Sequence, residues 1–440
     1  MSPMFYGILA IVIFVALLFC GMNIPYAMLF GAAVSMLVYK GPIVAGTAIA
    51  SDLMGTFSDY AISVAPMFGF MGYLATYTGI GEKLFVCLKK FIGHKPGGLA
   101  MAVQVASAGF GAICGTPQSA AATMTAVAYP EMRKAKYSIQ LSAMTISSGS
   151  TLSVLIPPSS ILIIYGAATE QSVGKLFIAG IGPGILMMIL NCILIFFLVK
   201  VHPDWGPTTI RVNWGERWRG LKNGGIIEVI IVFALAMGGM FAGLFTPTEA
   251  GTVGVFGMII VTLVGRNLNF RKLRLSMLEG VRICAMIYFL LAAAVFFGRV
   301  ISLSRIPQYL GEFVASHNLS PAAVLALIIF LYFIFGMVAD LLAMVLATIP
   351  IFYPLIVNYC GYDPAWFGIV IVLMMTVGAL TPPMGPGIFI QKLLITRYDP
   401  NVPISLLFKA SIPWIVLCMI MVLILIFCPI IVTFLPQFVM

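Results

Sequence analysis

Charge is scarce in this chain: 9% of the 440 residues are Asp, Glu, Lys or Arg, against about 25% in an ordinary soluble domain. That deficit, with 61% hydrophobic residues, excludes a soluble enzyme and leaves a protein that crosses a membrane many times. Histidine is nearly missing. His94, His202 and His317 all fall between apolar runs, which argues against a histidine proton relay inside the membrane. The eight cysteines (20, 87, 114, 192, 284, 360, 418, 428) are scattered without a C-x-x-C pair, and they read as small core hydrophobes rather than metal or redox ligands. No Gly-rich phosphate loop and no catalytic triad stand out, so the chain reads as a non-enzyme. No positive segment precedes the apolar run Met4–Cys20 and no small-x-small site follows it, so this run reads as a first span rather than a leader. The net charge of +10 is then the cytoplasmic-loop bias of a prokaryotic inner-membrane protein, not a nucleic-acid footprint.

What is present is a set of interruptions. Residues 154–160, "VLIPPSS", place Pro-Pro inside an apolar run, and "ALTPPMG" does the same at 379–385. Proline removes a donor and clashes with the preceding turn, and hydrocarbon offers no water to the freed carbonyls. These breaks belong to a repeat. "GMNIPYA" from Gly21 matches "GLFTPTEA" from Gly243 at offset 222; "GIGEKL" at 79–84 matches "RIPQYL" at 305–310 at offset 226. "GAICG" at 111–115 matches "GMVAD" at 336–340, and "LIPPS" at 155–159 matches "LTPPM" at 380–384, both at offset 225. Four weak matches in one order at nearly one offset divide the chain into repeats 1–205 and 223–440, joined by a basic linker, 206–222.

Apolar runs place spans near 4–20, 24–44, 60–82, 138–168, 176–200, 224–243, 247–265, 280–303, 364–396 and 404–436. Two further stretches, 97–130 and 321–357, each have room for two short helices. The first is flanked by "KKFIGHK" and "RKAK", the second by "ASHNLS" and "NYCGYD". As re-entrant hairpins, the first opens to the cytoplasm and the second to the outside. Only Lys40, Lys175, Arg299 and Arg305 of the 24 basic residues then lie outside, as the positive-inside rule requires, with both termini periplasmic. The expected fold is an all-α polytopic membrane protein of two inverted repeats, each with a re-entrant hairpin and a broken transmembrane helix (138–168 and 364–396). That is the pattern of secondary transporters.

At each break the carbonyl end of one half-helix attracts a cation and the N–H end of the next attracts an anion. Small residues (Gly115, Ser153, Gly378, Gly385, Gly387) let the backbone turn or approach a ligand. Two sodium-sized sites, one per repeat, with a substrate between the hairpin tips follow from this pairing. Substrate candidates at the tips are Thr116, Gln118, Ser119 and Asp340. A carboxylate deep in a membrane is a functional candidate by default, although Asp340 also suits the N-cap of a half-helix at Leu341. Thr116, Ser119, Ser153 and Thr381 can equally back-bond or cap. Glu249, in "TPTEA", reads as a structural cap or inter-helix bond. Arg299 and Arg305 read as snorkelling or interfacial.

The segments "GAICGTPQSAAATM…YPEM", "ISSGSTLSVLIPPSSILIIYG", "LFIAGIGPG", "GLFTPTEAG" and "GALTPPMG", in this order and spacing, resemble the large membrane subunit of tripartite ATP-independent periplasmic (TRAP) transporters over essentially the whole chain. The resemblance implies a sodium-coupled, elevator-type importer of organic acids such as C4-dicarboxylates or sialic acid. It also implies two partners, a small four-helix membrane subunit and a periplasmic solute-binding protein. Carried over by the resemblance, sodium contacts fall on Cys114, Gly115, Thr116, Pro117, Ser153, Ile156 and Pro158 in the first repeat, and on Met337, Gly378, Thr381 and Pro383 in the second. Many of these act through backbone carbonyls. Asp340 matches an acidic position beside the substrate. The first tip departs from the family's Ser-Gly-Ser-Ser-like run, because Cys114 is a poor sodium ligand and Pro117 has no side-chain oxygen. The alternatives are a stand-alone carboxylate or ion antiporter of the wider hairpin-containing superfamily, or a channel.

Thr381→Ala and Asp340→Ala are each expected to lower uptake about tenfold, the weight of one or two hydrogen bonds, without preventing membrane insertion. Sodium-dependent uptake into proteoliposomes supplied with the binding protein measures this, and wild-type rates in both variants would sink the assignment.

Overall fold

The computed structural model describes residues 2–438 apart from 210, 224, 225, 339 and 384. Ile210 of the linker, Ala339 of the second tip and Met384 of the second break therefore lie outside the described residues. The first series of helices runs α1 (Pro3–Phe19), α2 (Ile24–Lys40), α3 (Pro42–Ser58), α4 (Val64–Thr78), α5 (Ile80–Ile92), α6 (Gly98–Cys114), α7 (Pro117–Lys134), α8 (Ile139–Leu155), α9 (Ser160–Thr169) and α10 (Val173–Val201). After α11 (Trp214–Asn223), the second series begins with α12 (Ile226–Phe233), a π-turn at Ala234–Gly238 and one further turn, α13 (Gly239–Phe241). It continues through α14 (Pro247–Val264), α15 (Phe270–Leu303), α16 (Ile306–Ser316), α17 (Pro321–Val338), α18 (Leu341–Pro354), α19 (Pro364–Ala379), α20 (Pro386–Ile395), α21 (Ile404–Phe427) and the short α22 (Ile430–Thr433).

Seven of the described helices, counting α8 with α9 as one, are long and apolar enough to cross a bilayer. Both stretches expected to be hairpins are helix–turn–helix pairs, α6/α7 and α17/α18, and both Pro-Pro segments split a span, α8/α9 and α19/α20. The second series follows the first in order from α14 to α21, with one difference. Where the second has the single 34-residue α15, about 51 Å long at 1.5 Å per residue, the first has α3 and α4 with a 3₁₀ turn, Tyr60–Ser63, between them.

Three expected spans need correction. The run 60–82 is preceded by a separate helix, α3, which starts at Pro42 after Gly41 (φ 83°). Its Gly, Thr, Ser and Asp residues dilute the apolar signal that marks a span. The run 280–303 begins ten residues earlier, at Phe270, because Arg271, Lys272, Arg274, Glu279 and Arg282 lower hydropathy without opposing helix formation. The last span ends at Phe427, just before Cys428 and Pro429. Cys20 and Cys428, at helix ends, are exposed, whereas the other six cysteines are buried or half-buried.

α1 packs on α2, α2 and α4 pack on α15, and α14 packs on α4; α6 packs on α8, α17 on α19, and α10 and α21 on α8. α8 is buried nearly all round yet carries Ser142, Thr145, Ser147, Ser148, Ser150, Thr151 and Ser153. Back-bonding to the preceding turn absorbs most of these hydroxyls: Ser142 donates to Ser138 O, Ser150 to Ser147 O, Thr151 to Ser148 O and Ser153 to Ser150 O, each at 2.7 Å. A buried polar clamp ties α8 to its neighbours. Gln104 of α6 donates to Thr145 O and Ser148 Oγ, both at 2.9 Å, and accepts from Asn191 of α10 at 3.0 Å.

Two charged or acidic residues sit differently from, or more definitely than, the expectation. Arg299 is not a free interfacial side chain. It grips Asp52 of α3 at two points, one of them Nε to Oδ2 at 2.7 Å, and Asp52 is 5% exposed. Glu249 is a cap: its carboxylate accepts from Thr246 N at 2.8 Å while Thr246 Oγ1 accepts from Glu249 N at 3.3 Å.

Arg299→Met leaves the Asp52 carboxylate buried and unpaired, so stability is expected to fall by about 2 kcal/mol. The double variant with Asp52→Asn should recover most of that loss, as read by thermal unfolding in detergent; additive losses would show that the pair is not coupled.

Candidate functional site

The first tip is a two-residue turn. Gly115 closes α6 in the left-handed region (φ 62°), and Thr116 is extended ahead of Pro117, the first residue of α7. The tip lies directly on the first break. Ser160 N donates to Gly115 O at 3.0 Å, and a Cβ on Gly115 would sit 2.6 Å from Pro158 O. A side chain there is excluded both by the turn and by the neighbouring carbonyl. One turn earlier, a Cβ on Gly111 would meet Ser153 Cα at 2.9 Å, and one on Gly72 of α4 would meet Cys114 O at 2.6 Å.

The second tip makes a similar stitch. Gly385 N donates to Met337 O at 3.2 Å, joining the second tip to the second break. Gly336 and Gly378 bring α17 and α19 into backbone contact: a Cβ on Gly378 would be 2.6 Å from Phe333 O. Gly385 is left-handed (φ 41°), with Thr381 O 2.9 Å from where its Cβ would be. Both breaks contain a cis Pro–Pro peptide, 157–158 and 382–383. They differ in exposure, since Pro157, Pro158 and Ser159 are buried and Pro382 and Pro383 are exposed.

The named side chains fall into two groups. Ser153 Oγ and Thr381 Oγ1 donate to their own helices, the latter to Val377 O at 2.8 Å. Thr116 Oγ1, by contrast, is buried (5% exposed) with no hydrogen-bond partner among the described residues. Cys114 is buried with its Sγ 3.6 Å from Thr116 O, and Ile156 ends α8 against Gly184 of α10. Asp340 is the N-cap of α18, with Oδ2 accepting from Leu342 N at 3.2 Å.

Thr116, Pro117, Gln118 and Asp340, from opposite tips, share the wall of one open cavity of about 880 Å³. Its remaining wall includes Asn23, Tyr73, Ser160, Glu279 and Arg282, with Arg282 donating to Glu279 at 2.6 Å. Ser119 does not line it. A smaller pocket of about 90 Å³ continues behind the tips and shares Pro117, Gln118, Asp340 and Leu341 with the large one. Ser147, Ser150, Thr151, Thr376 and Gln391 complete its polar lining. Sequence reasoning missed these residues. The signal for Gln391 was present as one amide in the apolar half-helix "GIFIQKLL", whereas Ser147 is lost among the many hydroxyls of α8.

Paired hairpins and broken helices meeting on one cavity in an apolar helical body define a multi-pass membrane transporter. The same fold occurs in the solved Alcanivorax borkumensis YdaH transporter, with TM-score 0.60, 13% identity, and coverage of 91% of this chain and 89% of that one. Residues 11–431 match the family model "Tripartite ATP-independent periplasmic transporter, DctM component", and the chain belongs to that family. It is 30% identical over 408 residues to the C4-dicarboxylate TRAP transporter large permease protein DctM of Pseudomonas aeruginosa, with 92% of each chain covered. The ectoine TRAP large permease TeaC of Halomonas elongata is 32% identical (79% of this chain, 80% of that one), and the sialic acid large permease SiaM of Vibrio cholerae is 27% identical (85% and 86%).

Gly378→Val would force α17 away from α19 and is expected to reduce transport about tenfold or more, because core overpacking costs roughly 1–3 kcal/mol and displaces the second tip. Gly109→Ala, whose Cβ would meet its nearest atom only at 3.9 Å, should leave transport unchanged. Equal effects would rule out close backbone approach as the reason for Gly378.

Proposed function

We propose that this chain is the large permease of a sodium-coupled importer for a carboxylate-bearing organic solute, such as a C4-dicarboxylate or sialic acid. The observation that carries the reading is the convergence of both hairpin tips on one cavity, each stitched to a broken helix by one backbone hydrogen bond, Ser160 N to Gly115 O and Gly385 N to Met337 O. In this reading 1–205 and 223–440 are inverted repeats joined by the basic linker 206–222, with both termini periplasmic. The wall carrying Glu279 and Arg282 is then near the cytoplasmic side, so the cavity is the inward-open face of an elevator in which hairpins and broken helices move against α1–α4, α14 and α15.

Sodium is cargo here. The residues suit a hard, oxygen-preferring cation: Thr116 Oγ1 is unpaired, Gly115 and Gly385 keep side chains away from neighbouring carbonyls, and each half-helix ends in carbonyls at a tip or break. In the first site, Cys114, Gly115, Thr116, Pro117, Ser153, Ile156 and Pro158 contribute through backbone oxygens and the Thr116 hydroxyl. In the second, Met337, Gly378, Thr381 and Pro383 do so. Back-bonding occupies the Thr381 proton but leaves its oxygen able to accept a cation. Thr116, Gln118, Ser119 and Asp340 face or support the solute. Ion and solute binding favour one face of the elevator over the other and so shift its population. A periplasmic solute-binding protein would deliver the substrate, and a small four-helix subunit would complete the membrane complex.

The test is uptake into proteoliposomes containing the chain with its small subunit and binding protein. An inward sodium gradient should raise initial uptake about tenfold or more over equimolar potassium, the size of a typical 1–3 kcal/mol coupling. Equal rates in both salts would remove sodium coupling from the reading.

A further inference from the structure

Among the described residues, one buried amide beside the tips has its whole hydrogen-bonding capacity unspent. Gln391 of α20 is 1% exposed, and neither Nε2 nor Oε1 has a partner. Leaving a buried amide unpaired costs about 1–3 kcal/mol per group, so a native Gln held this way is expected to have a ligand in some state of the protein. Gln391 lines the pocket of about 90 Å³ behind the tips, opposite Ser147 of α8, whose Oγ is also buried and unpartnered. The other hydroxyls of that wall are already committed: Ser150 donates to Ser147 O, Thr151 to Ser148 O and Thr376 to Val372 O. A pocket of this volume has room for a small polar group, on the scale of two or three waters at about 30 Å³ each.

The chemistry of the wall selects that group. It includes an amide and a hydroxyl, each able to donate and accept, and the Asp340 carboxylate at the mouth shared with the large cavity. Among the described residues, no Lys, Arg or His lines it. A carboxylate entering here would meet Asp340 and no cation. A hydroxyl can both donate to Gln391 Oε1 or Asp340 and accept from Gln391 Nε2 or Ser147. We infer that Gln391 and Ser147 form a solute subsite that takes the hydroxyl-bearing end of an organic acid while its carboxylate stays in the larger cavity. This rests on the carboxylate-import reading and deepens it, making Gln391 a specificity-determining residue that touches solute rather than ion.

The experiment measures binding to the full-length chain in detergent with sodium present, by calorimetry. The probes are succinate, L-malate (the same C4 skeleton with one hydroxyl), gluconate and N-acetylneuraminate. The wild type should bind at least one hydroxylated acid about tenfold more tightly than succinate, since sites built to pair a polar group discriminate against analogues lacking it. Gln391→Met, similar in volume but without donor or acceptor, should reduce that preference about tenfold and leave the sodium concentration for half-saturation within about twofold. Ser147→Ala, which removes a single oxygen, should reduce it by roughly threefold or more, and it decides the question if Gln391→Met fails to fold. Wild-type affinity and preference in the variants, or a change confined to sodium dependence, would overturn the subsite while the acid reading stands. Failure of the wild type to bind any of the four acids would overturn the acid reading and the subsite with it.

Discussion

The constraint on which the structure depends is that a backbone carbonyl or N–H inside hydrocarbon has no water to turn to. Continuous helices meet it along their length, so every interruption must be answered by another piece of protein. Here the interruptions answer one another. A hairpin tip ends with a backbone group that the neighbouring broken helix engages, at Gly115–Ser160 for the first tip and Met337–Gly385 for the second. The glycines make this possible because backbone can approach backbone only where no Cβ intervenes, as at Gly115, Gly336 and Gly378. The polar groups that threaten stability are thereby gathered beside one cavity.

The same constraint explains the unusual composition of α8. A helix surrounded by other helices needs no lipid-facing surface, and its hydroxyls can be satisfied by the turn before them. That leaves Gln104, Asn191 and Ser148 to join three helices through side chains rather than fat alone, giving the helices around the first break a fixed register. On the other side of the cavity α15 provides a long wall, and the Asp52–Arg299 pair holds α3 to it. Across the cavity, α4 packs on α6, α7 and α9, and α15 packs on α18 and α9.

Much of this was legible in advance because its causes are local or periodic. The Pro-Pro pairs, the recurring offset of 222–226 residues and the basic flanks at 89–95 and 133–136 predict hairpins and broken helices where they occur. Glu249 could be read as a cap because a capping box spans only four residues. The errors have equally physical sources. α3 was hidden because a helix packed on other helices does not need uniform hydropathy, and Arg299 lost its partner from view because Asp52 lies 247 residues away.

The sequence by itself determined that the chain is a many-helix membrane protein with four interruptions, since hydrophobicity, proline and charge bias act over short distances. Only the tertiary structure decided which interruptions touch, which hydroxyls are spent on their own helix, and which polar groups remain unpaired. Thr381 and Thr116 are both threonines beside a break, yet one donates to Val377 O and the other has no partner among the described residues. Gln391, a single amide among apolar residues, acquires meaning only when α20 brings it against α8 behind the tips. Satisfaction of a polar group depends on what lies within about 3 Å in space, and a sequence orders residues along the chain without bringing distant ones together.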